Sequence, residues 1–349
     1  MTDVPADDDI RGPARNPTDE AGRSNPSLPG VVIADGRSMP TQVVDKAMLE
    51  AAEGVTAEAR SQWRDVWEQF AAHKGALFGM VVFFGIVLLC LVGPYLWPYD
   101  PTALNMRARY EGSSFAHPLG TNQLGQDTLA RIMAGGRISL AVGVTAMLLA
   151  LVFGTFIGVL AGYYRRLDGP LMRLTDLFLA LPILPLLLVC IMLFREDLAA
   201  AFGPEGGIFI LIVFMVGITS WMQTARIVRG DVLALKEREF VLAARSIGTP
   251  ARRIVSRHVL PNVLSPIMVS ATLGIANAII TESALSFLGL GFPSDFPTWG
   301  RLLQDGVQYL QRAPHLVIWP GLAISLTVLS VNYMGDGLRD ALDPRIRGR

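Results

Sequence analysis

The sequence has little of what soluble chemistry requires. Of its 349 residues 17% are charged, 4 are His and 2 are Cys. His73, His117, His258 and His315 stand far apart and form no His-Glu-x-x-His pair. There is no Gly-x-Ser-x-Gly elbow and no Gly-x-x-x-x-Gly-Lys-Ser/Thr phosphate loop, so neither a serine-hydrolase nucleophile nor ATP hydrolysis by this chain is expected. Cys90 and Cys190 lie in apolar runs without metal-ligand spacing. They are expected to act as small hydrophobes, with a disulfide as the alternative, and no metal site is expected. Charges deep in the apolar runs are few, which argues against a proton-driven pump with an acidic relay. Formal net charge is zero, which argues against a nucleic-acid partner.

Hydrophobic residues, by contrast, make up 51% of the chain and come in blocks. Six apolar stretches fall near 75–97, 138–162, 177–194, 208–225, 263–287 and 316–337. Each is about the length that crosses roughly 30 Å of hydrocarbon as a helix. Nothing alternates like barrel strands, so an all-α, six-span membrane bundle is expected. The short third stretch contains Pro182 and Pro185 and is expected to kink. Gly143, Gly154, Gly158 and Gly162 recur along the second, the spacing that lets helices approach closely.

The first 55 to 60 residues carry scattered Pro, Gly, Asp and Ser without a period and are expected to form a disordered tail. Their start is acidic (Asp7, Asp8, Asp9) and unlike a signal peptide. Over 61–74, Trp63, Val66, Trp67 and Phe70 recur at helical spacing, which predicts an amphipathic helix on the membrane surface or against a partner. Lys and Arg set the orientation. With the N-terminus inside, segments 163–176, 226–262 and 338–349 hold 15 bases, and the opposite segments 98–137, 195–207 and 291–315 hold 7. The asymmetry predicts both termini in the cytoplasm, the core domain over 138–337 and a long external loop closing the 75–137 segment.

The 226–262 segment is the longest basic connection. A small-residue turn, Glu239-Phe240-Val241-Leu242-Ala243-Ala244-Arg245-Ser246-Ile247-Gly248, ends at a glycine suited to a left-handed helix cap. Thr249 is a plausible N-cap with Pro250 at the first helical position, so two short helices meeting at an angle are predicted. Ala243 and Ala244 leave a low profile suited to a groove, and Arg252, Arg253 and Arg257 give a basic rim. From the residues alone such a hairpin could rest on anionic lipid or dock on a partner protein. Pro261 is expected to open the fifth span, and His258 to pack locally.

Ala-Ala, three residues, Gly, then a gap to Val259-Leu260-Pro261 resembles the EAA loop of ATP-binding-cassette importer permeases, with Leu242 where that motif has Glu. Other segments resemble the C-type subunit of the oligopeptide/dipeptide permease family. They are Pro98–Pro101, His117–Thr121, Gly136–Leu140, Ala225–Gly230, Leu285–Gly291 and Gly335–Pro344, and the likeness runs from about Trp63 to the C-terminus. The resemblance implies a bacterial inner-membrane assembly of this chain with a homologous B-type permease, two cytoplasmic ATP-binding subunits that hold ATP and Mg, and an external solute-binding protein. It makes the loop a coupling helix seated on an ATPase. The docking residues it implies are Glu239, Leu242, Ala243, Ala244, Arg245, Gly248, Thr249, Pro250, Arg252, Arg253, Arg257, Leu260 and Pro261. The family's solutes include oligopeptides, dipeptides, glutathione, nickel, opines and sugar conjugates, and oligopeptides are favoured here.

Glu282 is the most informative acid near a span. It either lines the outer end of the path or caps a bend before Leu285–Gly291. Surface salt bridges are expected for Asp176 and Asp336. The external loop, with Trp97 and Phe115, serves a binding protein or a scaffold. Two rival functions, an intramembrane enzyme and a non-transporting lipid-binding scaffold, predict catalytic activity of the isolated chain and no ATPase partner, respectively.

Overall fold

The computed structural model describes residues 62–293 and 295–342. The expected tail over 1–60, Ser61, the side chain of Trp63 and residues 343–349 of the C-terminal segment lie outside the described residues. In chain order the helices are α1 (Gln62–Ala72), α2 (Lys74–Leu96), α3 (Thr128–Tyr163), α4 (Arg165–Ala180), α5 (Ile183–Ile218), α6 (Trp221–Leu235), α7 (Glu239–Ser246), α8 (Ala251–Ile254), α9 (Leu264–Phe287), α10 (Trp299–Val307) and α11 (His315–Leu342). Among the described residues there is no strand, only an isolated bridge between Thr121 and Asp127.

Five helical stretches are long and apolar enough to cross a membrane. The third of them, 183–235, doubles back. Gly203 has φ +81° and ψ 163°, a conformation open to glycine and closed to other residues. Gly207 packs on the backbone of Leu198, and Leu187 and Ile191 share a core cluster with Ile212 and Val216. In a straight helix Leu187 and Val216 would stand about 40 Å apart. The two arms of α5 are therefore separate crossings, and the bundle has the six expected spans. The turn at Gly203 falls in the expected 195–207 connection, and the expected kink in the third stretch is a helix break at Leu181–Pro182. Pro182 is the N-cap of α5 and Pro185 lies in its first turn, where a missing N–H costs nothing. Other bounds also move. The second span begins at Thr128, ten residues before its apolar run, and 163–180 is helical from Arg165. The 291–315 connection contains α10.

Small residues set which helices touch. A Cβ on Gly154, Gly158 or Gly162 would strike Trp221 and Thr224, Ala225 and Val228, or Arg229 and Val232. These pairs ascend together, so α3 and α6 run parallel along a glycine seam. Gly143 meets Ile279 and Gly274 meets Met147, so α9 runs antiparallel to α3. Gly79 packs on Ser330 and Tyr333, which pairs α2 with α11. Phe84, Leu88, Val152, Phe156, Met192 and Leu193 are left outward, more than half exposed or nearly so, as lipid-facing side chains are. At the start of the chain Val66 and Phe70 of α1 pack with Ala76, Leu338 and Ala341. Trp67 stays 56% exposed, so the helix lies on the bundle's own end and keeps one aromatic for the interface.

Several segments that carried the family resemblance have direct structural causes. Pro94 removes the donor that would serve the Cys90 carbonyl, and Arg137 from α3 donates Nε to that oxygen at 2.7 Å and Nη2 to Leu91 O at 2.6 Å. Both cysteines are free, and Cys90 sits against Gly136 where α2 crosses α3. In the connection between α2 and α3 Asp127 caps α3 through Ala130 N at 2.7 Å. It also accepts from Trp97 Nε1 at 3.1 Å and lies 2.8 Å from His117 Nδ1. Trp97 and His117 thus serve the scaffold, while Phe115 projects fully into solvent.

The glycine seam makes a direct prediction. Gly158→Leu should separate α3 from α6 and lower stability by about 1–3 kcal/mol. Gly230→Leu, on α6 with open space around it, should leave stability near wild type. Thermal inactivation of the purified protein in detergent, read as loss of the monodisperse peak, checks both.

Candidate functional site

The connection between α6 and α9 forms the predicted pair of short helices. Helix α7 closes with two hydrogen bonds, Thr249 N to Ala244 O at 3.1 Å and Gly248 N to Arg245 O at 3.0 Å. Gly248 has φ +80°, so the turn is a Schellman cap that a glycine makes at no steric cost. The following helix starts one residue later than expected. Pro250 is its N-cap, and the Thr249 side chain makes no cap bond. Beyond α8 the ladder widens into a π turn over Val255–Val259 and tightens into a 3₁₀ turn over Leu260–Val263. Pro261 accounts for this, because it offers the Arg257 carbonyl no donor. As expected, Pro261 leads directly into the fifth span, and His258 packs locally against Phe240 with ring centroids 6.3 Å apart.

Burial divides α7 into two faces. Val241 and Ala244 are buried in a cluster with Val159 of α3, Val228 and Val232 of α6, and Ile254, Val259 and Val263. Ala244 therefore fits this chain's own core and not an external groove, which corrects the expectation for that residue; Ala243 is exposed. Elsewhere on the helix Phe240 is 44% and Leu242 41% exposed, and Ile247 at its C-cap is 83% exposed. Glu239, Arg245, Gly248, Pro250, Arg252, Arg253, Arg257, Leu260 and Pro261 are also exposed, and Thr249 is half-buried. Arg245 sits 6.0 Å over the Tyr163 ring, which ties α7 to the end of α3. Next to this turn α4 is bound to α6 by two ion pairs. Arg229 makes a two-pronged contact with Asp168 at 2.5 and 2.8 Å, and Arg226 meets Asp176 at 2.5 Å. The Arg229 hydrogen bond holds the Asp168 carboxyl below its ordinary range. Asp176 thus makes the expected surface pair, and for Asp336 no ion pair is found among the described residues.

Glu282 does not belong to this region. It lies about 27 Å further along α9 and is fully buried. Its carboxyl accepts from Ser286 Oγ at 2.7 Å and Ser139 Oγ at 2.9 Å, and Ser139 Oγ in turn accepts from Trp299 N at 3.3 Å. Ser283 Oγ approaches at 3.5 Å. The acid knots α3, α9 and the start of α10 together. After it, α9 ends in a second Schellman cap at Gly289, φ +83°. Of the two roles open to Glu282, the knot at a bend is the one its burial supports.

A feature not singled out in the sequence is a cavity of about 310 Å³ between α6 and α9, closed by Leu179 and Ile183. Its wall carries Thr219, Ser220, Gln223, Asn277 and Thr281, and no charged residue. Gln223 and Asn277 are exposed, while Thr224 and Ser270 bond each other behind them at 2.9 Å. Uncharged polar residues repeating at i, i+4 on otherwise apolar helices (Thr219 and Gln223; Asn277 and Thr281) were the available signal.

The Glu282 knot can be tested directly. Glu282→Ala would leave buried hydroxyls without their acceptor and should destabilise the protein by about 2–3 kcal/mol. Glu282→Gln, which keeps an acceptor oxygen, should cost less. A path-lining acid would behave otherwise, with altered solute uptake at unchanged thermal stability in detergent.

Comparison with known proteins agrees with this architecture. Residues 150–348 match the family described as binding-protein-dependent transport system inner membrane component. Residues 61–118 match the N-terminal TM domain of oligopeptide transport permease C. The dipeptide transport system permease protein DppC of Alkalihalophilus pseudofirmus is 39% identical over 83% of this chain and 92% of its own. The oligopeptide transport system permease protein OppC of Bacillus subtilis is 34% identical over 89% and 99%. The di/tripeptide transport system permease protein DppC of Pseudomonas aeruginosa is 40% identical over 82% and 93%. The chain therefore belongs to the binding-protein-dependent transport system inner membrane components, as a multi-pass permease subunit of an ATP-binding-cassette importer.

Proposed function

We propose that this permease carries peptides, the solutes its relatives are named for, and carries them inward, with both termini in the cytoplasm of a bacterial inner membrane. Its partners are a homologous B-type permease, two ATP-binding subunits that supply ATP and Mg, and an external solute-binding protein. The observation that carries the docking assignment is the two-faced helix α7. Ile247, Phe240 and Leu242 project from it, while Val241 and Ala244 fix it to the spans. An exposed apolar knob on a rigid base is what an interface hot spot needs. Leu242, standing where the EAA motif has Glu, gives this dock an apolar contact in place of an acidic one. Arg245, Arg253 and Arg257 supply a basic rim for acidic groups on the ATPase.

The uncharged cavity between α6 and α9 is one wall of the path. Gln223 and Asn277 carry the same amide group as a peptide bond, with donor and acceptor together, and so can exchange hydrogen bonds with a passing backbone. A neutral wall holds no fixed charge that would trap either terminus of a zwitterionic solute. ATP binding would close the ATPases and move α7, and the spans would exchange inward- and outward-facing states in proportion to the partners' different affinities for each.

Two measurements test these roles in the reconstituted complex. Ile247→Glu should weaken capture of the ATP-binding subunits by about 2 kcal/mol, roughly thirtyfold. Unchanged affinity would remove α7 from the dock. Gln223→Leu with Asn277→Leu should lower peptide uptake while assembly and basal ATP hydrolysis persist; undiminished uptake would exclude the cavity from the path.

A further inference from the structure

A second cavity, of about 570 Å³, opens on a different face, between the last turns of α3 and the chain that leads into α9. Its walls run antiparallel. The antiparallel packing of α3 on α9 and the clustering of Val159 with Val259 and Val263 set Leu151 toward the Ile267 end and Tyr164 toward the Arg252 and Ser256 end. From Leu151 to Tyr164 the groove extends along α3 for about 20 Å. Phe156, Leu160 and Leu264 make its middle apolar, and Thr155 is the one hydroxyl there. Polarity is thus gathered at one end, where α3 stops and Arg165 and Arg166 follow.

We infer that this groove is a binding site for one acyl chain of an anionic phospholipid of the cytoplasmic leaflet, with its phosphate on Arg252. Three observations select that occupant. The groove has the length and the one-ended polarity of a lipid, with its apolar end toward the bilayer interior. Arg252 is exposed and has no ion-pair partner among the described residues, so its charge is available at the mouth. Tyr164 stands beside it, the amphipathic ring expected at headgroup depth. A basic side chain at that depth attracts anionic headgroups, and the alkyl stem of Arg252 can lie along the apolar wall. Arg252 is thereby separated in role from Arg245 and Arg253, and the lipid becomes a ligand held against α8, next to the proposed dock.

Native mass spectrometry of the assembled importer, released from nanodiscs of equal phosphatidylglycerol and phosphatidylcholine, tests this. The wild-type complex should retain phosphatidylglycerol in preference. Arg252→Gln should lower that preference about fivefold. Leu264→Trp, which fills the groove, should lower retention of both lipids. Equal retention of phosphatidylglycerol by wild type and both variants would overturn the proposal. A photo-crosslinker at Leu260 supplies a readout independent of those variants. Labelling of lipid supports the proposal, and labelling of the second permease or an ATP-binding subunit would overturn it by showing protein in the groove.

Discussion

What holds the candidate dock to the membrane domain is a small cluster of branched side chains. Val159, Val228, Val232, Val241, Ile254, Val259 and Val263 come from α3, α6, α7, α8 and the turns before α9, and they meet around Ala244. Each such side chain contributes about 1.5–3 kcal/mol when fully buried, and β-branching leaves little rotamer freedom to absorb a displacement. A push on Phe240, Leu242 or Ile247 therefore reaches α3 and α6 together, because Val241 and Ala244 of the same helix are packed into both. Along α3 the glycine seam then brings α6 close enough for backbone to touch side chain, so those two spans are constrained to move as a pair. The proposed path wall adjoins the seam on α6, since Thr224, which packs on Gly154, also bonds Ser270 of α9 behind that wall. The proposed dock, the seam and the proposed wall are thus contiguous through α6.

Most of the fold was legible because lipid imposes a simple rule. Backbone groups must be satisfied within the helix, so apolar length alone reveals the spans. The six crossings and the pairing face marked by Gly154, Gly158 and Gly162 both followed from that. What apolar length does not record is where helices extend past the hydrocarbon. Helix α3 starts at Thr128 because Asp127 caps it, and that capping depends on Trp97 and His117 arriving from elsewhere in the chain. The breaks within the apolar stretches were legible too. Gly203 turns inside the connection expected over 195–207, and Pro182 marks the break between α4 and α5.

The candidate site was half legible. Local spacing located the two helices and the glycine between them, since a Schellman cap is written into a few consecutive residues. Which alanine faces outward was not legible, because α7 packs against valines tens of residues away. Ala244 turned inward and Ile247 outward. Glu282 was visible as an anomaly, and three-dimensional partners on α3 and α9 were needed to show that it ties helices together. The polar cavity escaped because its members are individually ordinary. Only the folding of α6 beside α9 brings Gln223 to Asn277.

The central claim is that α7 transmits ATPase motion to the spans through the valine cluster. Peptide transported per ATP hydrolysed tests it most directly, compared between the wild-type complex and one carrying Val241→Ala with Val259→Ala, after both are shown to assemble. Loosening the cluster while leaving the exposed face intact should preserve ATPase binding and hydrolysis and lower transport per ATP by at least about fivefold. An unchanged ratio in an intact complex would contradict the account and place the transmission elsewhere.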